Sequence, residues 1–281
     1  MRLGAHVSTA GGVDKAVGRA QEIGAETIQI FGASPQSWRR RELQPAEVEA
    51  FRDKAQAAEV APTFLHGVYL VNLATSNPDN LTKSQVALTH DMHVCHLLSA
   101  RGVIFHIGSH RGAGLDGVFR QVTDSLRRVI DETPEETWLI LENSAGMGDA
   151  IGSRFGELAL FMREVASPRL KVCLDTQHMF ASGYDVKTRE GLERAMEEFE
   201  REVGLAQLVA VHANDSKCSL GGGVDRHENI GEGHIGRDGF ANIMGHPAFQ
   251  AVPFLLEVPG FGNLGPDKEN LDILKAIRAS L

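Results

Sequence analysis

The sequence predicts a (β/α)8 TIM barrel, and three observations carry that prediction. Eight short apolar runs recur along the 281 residues. The segments between them return apolar residues every three or four positions, the helical period. Beyond the first run, which ends at His6, six more of the eight end in His, Asp or Glu. A buried parallel strand reads as a short continuous apolar run, and repeated strand–helix alternation closes into a barrel. All strand ends then meet at one face, where barrel enzymes carry their chemistry.

The elements follow in order. The first run, near residues 2–6, ends at His6, and VDKAVGRAQEIG (13–24) follows as a helix stopped by Gly24. The second, 27–31, leads through FGASPQSW to the helix PAEVEAFRDKAQAAE (45–59). The third, 61–66, closes PTFLH at His66, and QVALTHDMHVCHLLSA reads as the next helix. Gly102 re-enters a fourth run, GVIFH, ending at His106. LDGVFRQVTDSLRRVIDE (115–132) connects it to a fifth, WLILE, ending at Glu142. The sixth, 170–175, ends KVCLD at Asp175. REGLERAMEEFEREVG (189–204) leads to the seventh, LVAVH, ending at His212. The eighth, 252–257, ends PFLLE at Glu257. No linker, low-complexity tract or composition break interrupts the chain, so residues 1–281 are expected to form one domain.

Bulk composition narrows the function classes. No apolar stretch approaches the roughly 20 residues of a membrane span. The opening MRLGAHVSTAGG lacks the pattern of a secretory signal. A monomeric cytoplasmic protein is expected. Cys95, Cys173 and Cys218 are odd in number and lack C-x-x-C spacing, which argues against a disulfide framework or a Cys-type zinc site. Net charge is −9, from 28 Lys and Arg against 37 Asp and Glu, which argues mildly against nucleic acid. Bound cations would change that balance: three divalent ions bring the formal total from −9 to −3.

The strand ends supply His66, His106, Glu142, Asp175, His212 and Glu257. Asp175-Thr-Gln-His178 and Asp225-Arg-His227 add three more ligand types at short spacing. In extended or irregular segments either spacing can place two side chains on one ion. Nine such residues are too many for one zinc, but bridging carboxylates would let them hold two or three ions. Asp225 and His227 fall in a Gly-rich loop, 213–236, with no obvious secondary structure, and loops of this kind are commonly functional. Its glycines match neither a P-loop nor a dinucleotide fingerprint. His90, His93 and His96 share a helix without converging carboxylates, with Asp91 on another face, and are read as ordinary surface. His6, His110 and His234 lie near the candidate ligands, and His246 is expected at the surface.

Five stretches carry a resemblance across the whole chain: GAHVSTAGG (4–12), LENSAGMG (141–148), CLDTQH with ASGYD (173–178, 181–185), HANDSK (212–217) and DRHENIGEGHIG (225–236). On these the chain is identified as resembling the endonuclease IV family of apurinic/apyrimidinic endonucleases. The resemblance implies a TIM barrel with three zinc ions that cuts double-stranded DNA on the 5′ side of an abasic site. It would leave a 3′-hydroxyl and a 5′-deoxyribose phosphate, and would also trim blocked 3′ ends. It implies that His66, His106 and Glu142 serve one zinc. Glu142 would bridge to a second, held by Asp175, His212 and Glu257. His178, Asp225 and His227 would hold the third.

The chemistry fits those residue types. A metal cluster can activate water near neutral pH, neutralise phosphate charge and stabilise the leaving oxygen. Glu142 would orient or deprotonate the water. Tyr69 and Leu70, just past His66, are candidates to fill the gap left by an extruded nucleotide. Two departures from the family stand out. Gln36 occupies the position where relatives commonly carry an Arg that enters the DNA, and Ile107 replaces a common Pro. With Gln36 and an acidic chain, charge is expected to help DNA binding less than usual. A sugar isomerase or epimerase is the rival reading, but nine ligands exceed its need. A non-catalytic damage binder is a third, opposed by the intact ligand set.

Overall fold

The computed structural model describes residues 1–281. Eight parallel strands close into a barrel. They are β1 (Leu3–His6), β2 (Thr27–Phe31), β3 (Thr63–His66), β4 (Gly102–His106), β5 (Trp138–Glu142), β6 (Leu170–Asp175), β7 (Leu208–His212) and β10 (Phe254–Leu256). The cyclic order is β1-β10-β7-β6-β5-β4-β3-β2, so sequence neighbours pair throughout and β10 closes on β1. Each expected apolar run contains one strand. Glu257 lies one residue past its strand rather than at its last position.

The outer layer is α1 (Lys15–Ile23), α2 (Pro45–Ala57), α3 (Pro78–Leu97), α4 (Gly114–Asp131), α5 (Phe155–Val165), α7 (Arg189–Glu202), α8 (Gly236–Gly245) and α9 (Lys268–Ser280). Their apolar stripes face the barrel; in α4, Val118, Val122, Leu126 and Val129 are buried at helical spacing. Local chemistry fixes the ends. Gly24 closes α1 at φ 76°, a left-handed conformation suited to glycine. Gln44 and Glu47 form a reciprocal cap at the start of α2, and Asn77 accepts from the Asn80 N–H at the start of α3.

Two elements depart from expectation. Residues Thr176–Ser182 form a short helix, α6, directly on the end of β6. Asp175-Thr-Gln-His178 is therefore a capped helix start and not an extended segment: the Asp175 carboxylate accepts from the His178 N–H at 2.8 Å. The Gly-rich loop also contains an antiparallel ribbon of β8 (Asp215–Ser216) and β9 (His227–Glu228). Asp215 knots that loop. Its buried carboxylate accepts from the N–H groups of Gly231, Gly233, Ile235 and Gly236, which draws the chain after β9 back onto β8. No helix is long and apolar enough to cross a membrane.

Inside the barrel, Phe64, Ile104, Ile140, Cys173, Ala210 and Leu255 form a buried apolar layer. Side chains alternate faces along a strand, so the residue two positions on points the same way. Those residues are His66, His106, Glu142, Asp175, His212 and Glu257. The polar ring thus sits one layer above an apolar plug, at the carboxyl face.

Candidate metal centre

Glu142 is the hub. It is fully buried, and its two carboxylate oxygens face different partners. Oε2 lies 3.2 Å from His66 Nε2 and 3.4 Å from His106 Nε2. Oε1 lies 2.9 Å from His212 Nδ1 and 3.3 Å from His178 Nδ1. His212 Nδ1 is also 3.3 Å from Glu257 Oε2 and 3.9 Å from Asp175 Oδ2. On the far side, Asp225 Oδ1 lies 3.4 Å from His178 Nε2 and 3.3 Å from His227 Nε2, and His227 Nε2 is 3.7 Å from Asp175 Oδ2.

Eight of the nine sequence-predicted residues fall into three overlapping groups whose donor atoms lie within 4.8 Å of one another. These are His66, His106 and Glu142; Asp175, His178 and His227; and Glu142, Asp175, His212 and Glu257. Asp225 joins through its contacts to His178 and His227. It is also the most exposed of the carboxylates, at 43%.

Carbonyl contacts fix which ring nitrogen faces inward. Nδ1 donates to the Gly67 carbonyl in His66 at 2.6 Å, to Asn143 in His178 at 2.9 Å, and to Glu257 in His227 at 3.2 Å. In His212 it is Nε2 that donates, to Gln29 Oε1 at 2.8 Å. A carbonyl oxygen only accepts, so each neutral ring carries its hydrogen there and turns a lone pair toward the carboxylates. Lone pairs facing anions need a cation between them. His178 Nε2 and His227 Nε2 are buried with no hydrogen-bond partner at all. The donor set, four carboxylates and five imidazoles, four of them with the outer nitrogen anchored, suits a metal of the zinc type.

Titration behaviour agrees. Burial works to raise the Glu142 carboxyl, but His106 and His212 overcome it and hold Glu142 well below the carboxylate range. Glu257 is likewise held down against burial, chiefly by His212. Asp225 falls to about 2 against the same desolvation, through its contact with His178. Burial lowers His178 and His212, yet Asp175 first for His178, and for His212 the Cys173 contact followed by the Glu257 and Glu142 carboxylates, raise both well above the usual imidazole value. In the metal-free protein, protons take up the positive charge these positions demand.

Sequence reasoning missed the residues that hold the ring in place. Gln29 donates to Glu257 Oε1 at 2.6 Å and to His6 Nδ1 at 2.9 Å while accepting from His212. Asn214 donates to Asp175 Oδ2 at 2.6 Å and accepts from the Glu257 N–H at 2.8 Å. Asn143 accepts from the Asp175 N–H at 2.6 Å. Gln29 was detectable as a polar residue at an inward position of TIQIF; Asn143 and Asn214 sit beside ligands in LENSAG and HANDSK.

The other expected residues divide. Tyr69 is 63% exposed and Leu70 38%, and both line a cleft of about 460 Å3 with Trp38, His106, Met147 and Asp225. The Tyr69 ring lies 6.0 Å from His66. Gln36 is exposed on the loop after β2, outside that cleft. His6 contacts Glu257 at 3.4 Å, behind the ring. His110 accepts from the Gly114 N–H at the start of α4, and His234 is exposed. His246 is half-buried against Glu193, not free at the surface. His93 and His96 are exposed on α3. Asp91 lies nearer the histidines than expected, with Oδ1 3.4 Å from His90 Nδ1, but no third ligand completes a site there. The three cysteines are free.

A closed parallel barrel with a ring of candidate metal ligands at its carboxyl face defines a metal-dependent TIM-barrel enzyme. A family described as xylose isomerase-like TIM barrel matches residues 17–279. The probable endonuclease 4 of Halothermothrix orenii is 38% identical over 276 residues, 98% of this chain and 99% of that protein. The probable endonuclease 4 of Aquifex aeolicus is 40% identical over 276 residues, 98% of this chain and 97% of its own. The crystal structure of endonuclease IV from Thermus thermophilus covers 100% of both chains at 36% identity and a TM-score of 0.89. The chain belongs to the endonuclease IV family and is an enzyme of the nuclease class of hydrolases. A D-tagatose 3-epimerase-like protein, at 16% identity and TM-score 0.76, shares the fold alone.

Proposed function

We propose that this enzyme is a zinc-dependent repair endonuclease acting on abasic sites in double-stranded DNA. It hydrolyses the phosphodiester 5′ to the lesion, leaves a 3′-hydroxyl and a 5′-deoxyribose phosphate, and trims blocked 3′ ends. It works as a monomer in the cytoplasm, at the nucleoid. His66, His106, Glu142, Asp175, His178, His212, Asp225, His227 and Glu257 hold three zinc ions. The observation that carries this reading is the division of Glu142: one oxygen faces His66 and His106, the other faces His212 beside Glu257, as a bridging carboxylate requires.

Zinc bound there supplies Lewis acidity and charge neutralisation for a phosphate and its leaving oxygen. The protein supplies position and a dry floor. Glu142, held anionic, orients the attacking water by accepting a hydrogen bond from it. The water oxygen forms the new bond to phosphorus as the bond from phosphorus to O3′ breaks; the proton that the water gives up passes by way of Glu142 to solvent, and the leaving O3′ takes one from solvent. Gln29 and Asn214 keep Glu257 and Asp175 from turning away. Tyr69 and Leu70, exposed beside the ring, cover the gap left when the abasic nucleotide leaves the stack, a nucleotide that costs less to extrude than a paired one. Gln36 on its exposed loop touches the DNA without adding charge.

The test is direct. Incubating the protein with a labelled duplex containing one abasic site should give a single 5′ incision that a chelator abolishes. Elemental analysis should find close to three zinc per chain. Full activity with one ion or none would overturn the trinuclear reading.

A further inference from the structure

Three of the candidate ligand histidines lean on backbone. Nδ1 of His66, His178 and His227 donates to the carbonyls of Gly67, Asn143 and Glu257, and a carbonyl can only accept. His212 differs twice. It turns Nδ1 rather than Nε2 toward Glu142 and Glu257, at 2.9 and 3.3 Å. Its outer Nε2 meets a side-chain amide, that of Gln29, at 2.8 Å. An amide carries an oxygen on one edge and two N–H groups on the other. Rotated half a turn, Gln29 would present hydrogens to His212. The neutral imidazole would then carry its own hydrogen on Nδ1, where it closes the lone pair that faces Glu142 and Glu257.

Two neighbours prevent that rotation. Gln29 is fully buried on β2, and its Nε2 lies 2.6 Å from Glu257 Oε1 and 2.9 Å from His6 Nδ1. A carboxylate oxygen that close needs a donor, so the nitrogen belongs on the Glu257 side and the oxygen faces His212. The second amide hydrogen goes to His6, which stands beside Gln29 in the β1–β2 register and packs on the Phe31 ring at 4.3 Å. Both hydrogens and the oxygen of the amide are thereby used, as a buried amide requires. Glu257 and His212 are joined twice: Oε2 faces His212 Nδ1 inside the centre, and Oε1 reaches His212 Nε2 from behind through Gln29.

We propose that Gln29 is the positioning residue that sets the hydrogen on His212, and that Glu257 and His6 lock its amide in the one orientation that leaves His212 Nδ1 open to a cation. The inference rests on the reading of the centre as a zinc site and deepens it. The position bounded by Glu142, Asp175, His212 and Glu257 is prepared by a relay that begins on one of its own ligands.

The experiment uses the zinc-loaded full chain. Nitrogen–proton NMR of the imidazoles in wild type should show His212 with a slowly exchanging hydrogen on Nε2. Gln29→Met keeps the volume and removes both roles of the amide. It should weaken one zinc by about 10- to 100-fold in a competitive chelator titration and make the His212 N–H exchange fast. Gln29→Glu keeps an acceptor for His212 but sets an oxygen against Glu257, and should lose at least as much. His6→Asn, whose amide oxygen stands in for Nδ1, should hold zinc as wild type does. His6→Phe fills the space without an acceptor and should fall toward Gln29→Met. A purely structural role for His6 predicts the reverse order, with Phe the milder change.

Wild-type zinc affinity in Gln29→Met, or His6→Phe closer to wild type than His6→Asn, overturns the relay. A wild-type spectrum with His212 bound through Nε2, or with its hydrogen on Nδ1, does so without any variant having to fold. Fewer than three zinc in wild type, with the His212 hydrogen on Nε2 and the Gln29→Met loss present, keeps the relay and removes the trinuclear reading. A wild type that binds no metal removes both.

Discussion

The strand-borne and loop-borne parts of the proposed centre are positioned by different physics. His66, His106, Glu142, Asp175, His212 and Glu257 stand two residues above the apolar plug, so the pleat of a closed barrel aims them all inward. His178, Asp225 and His227 have no such register. A helix cap places His178, and a ribbon knotted by Asp215 places the other two. The first set is fixed by the fold itself. The second depends on local hydrogen bonds that could change with the fold intact. The strand set should therefore hold metal tightly, and the loop set should be easier to empty.

Paired substitutions put that contrast under the greatest load. Glu142→Gln should lower the cleavage rate by at least about 10³, the scale for losing a transition-state stabiliser. His227→Gln should cost closer to about 10² and release one zinc while two remain. Parallel metal analysis and single-turnover kinetics decide the matter; loss of all three ions in His227→Gln would show that the two sets are one cooperative unit.

A smaller effect is expected at the seam between the sets. Asn214 touches Asp175 and Glu257 but is not itself a proposed ligand. Asn214→Ala should reduce zinc affinity or activity by between about 10- and 100-fold, as is usual for groups that orient ligands. A competitive chelator titration measures this, and wild-type affinity would mean that the barrel alone orients both carboxylates.

Beyond the ring, Tyr69→Ala with Leu70→Ala should slow cleavage at limiting abasic duplex by about tenfold, equivalent to about 1.4 kcal/mol of lost stacking. Zinc content should not change. Equal rates at limiting DNA would move the wedge elsewhere on the face. The smallest effect belongs to α3. His90, His93 and His96 replaced together by Gln should leave zinc content and cleavage unaltered, because they do not converge on any third ligand. Loss of an ion from that variant, with circular dichroism unchanged, would expose a site outside the barrel mouth.

Legibility in the sequence followed the same division. Apolar runs of five or six residues, all but one ending in a polar residue, gave away both the barrel and the strand-borne ring, because strand parity is local. The ribbon was not legible: Asp215 meets N–H groups 16 to 21 residues away, and no period in the sequence records such a pairing. The spacing of Asp175-Thr-Gln-His178 suits an extended or irregular segment as well as a helix start, and the cap stays hidden because one carboxylate serves both the His178 N–H and the ring, one oxygen for each.

The apolar plug has an electrical consequence. It leaves the ring with a low-dielectric floor and low-dielectric walls, so field lines from the centre can spread only through the open mouth. Three bound divalent cations against the carboxylates of Glu142, Asp175, Asp225 and Glu257 would leave a surplus of two positive charges there, although the chain as a whole carries −9. A chain of net negative charge would then attract polyanions along a single axis, and that attraction would be lost when the metal is removed. Metal loading would thus act as an orientation signal, turning the acidic outer surface away from an approaching phosphate backbone and the barrel mouth toward it.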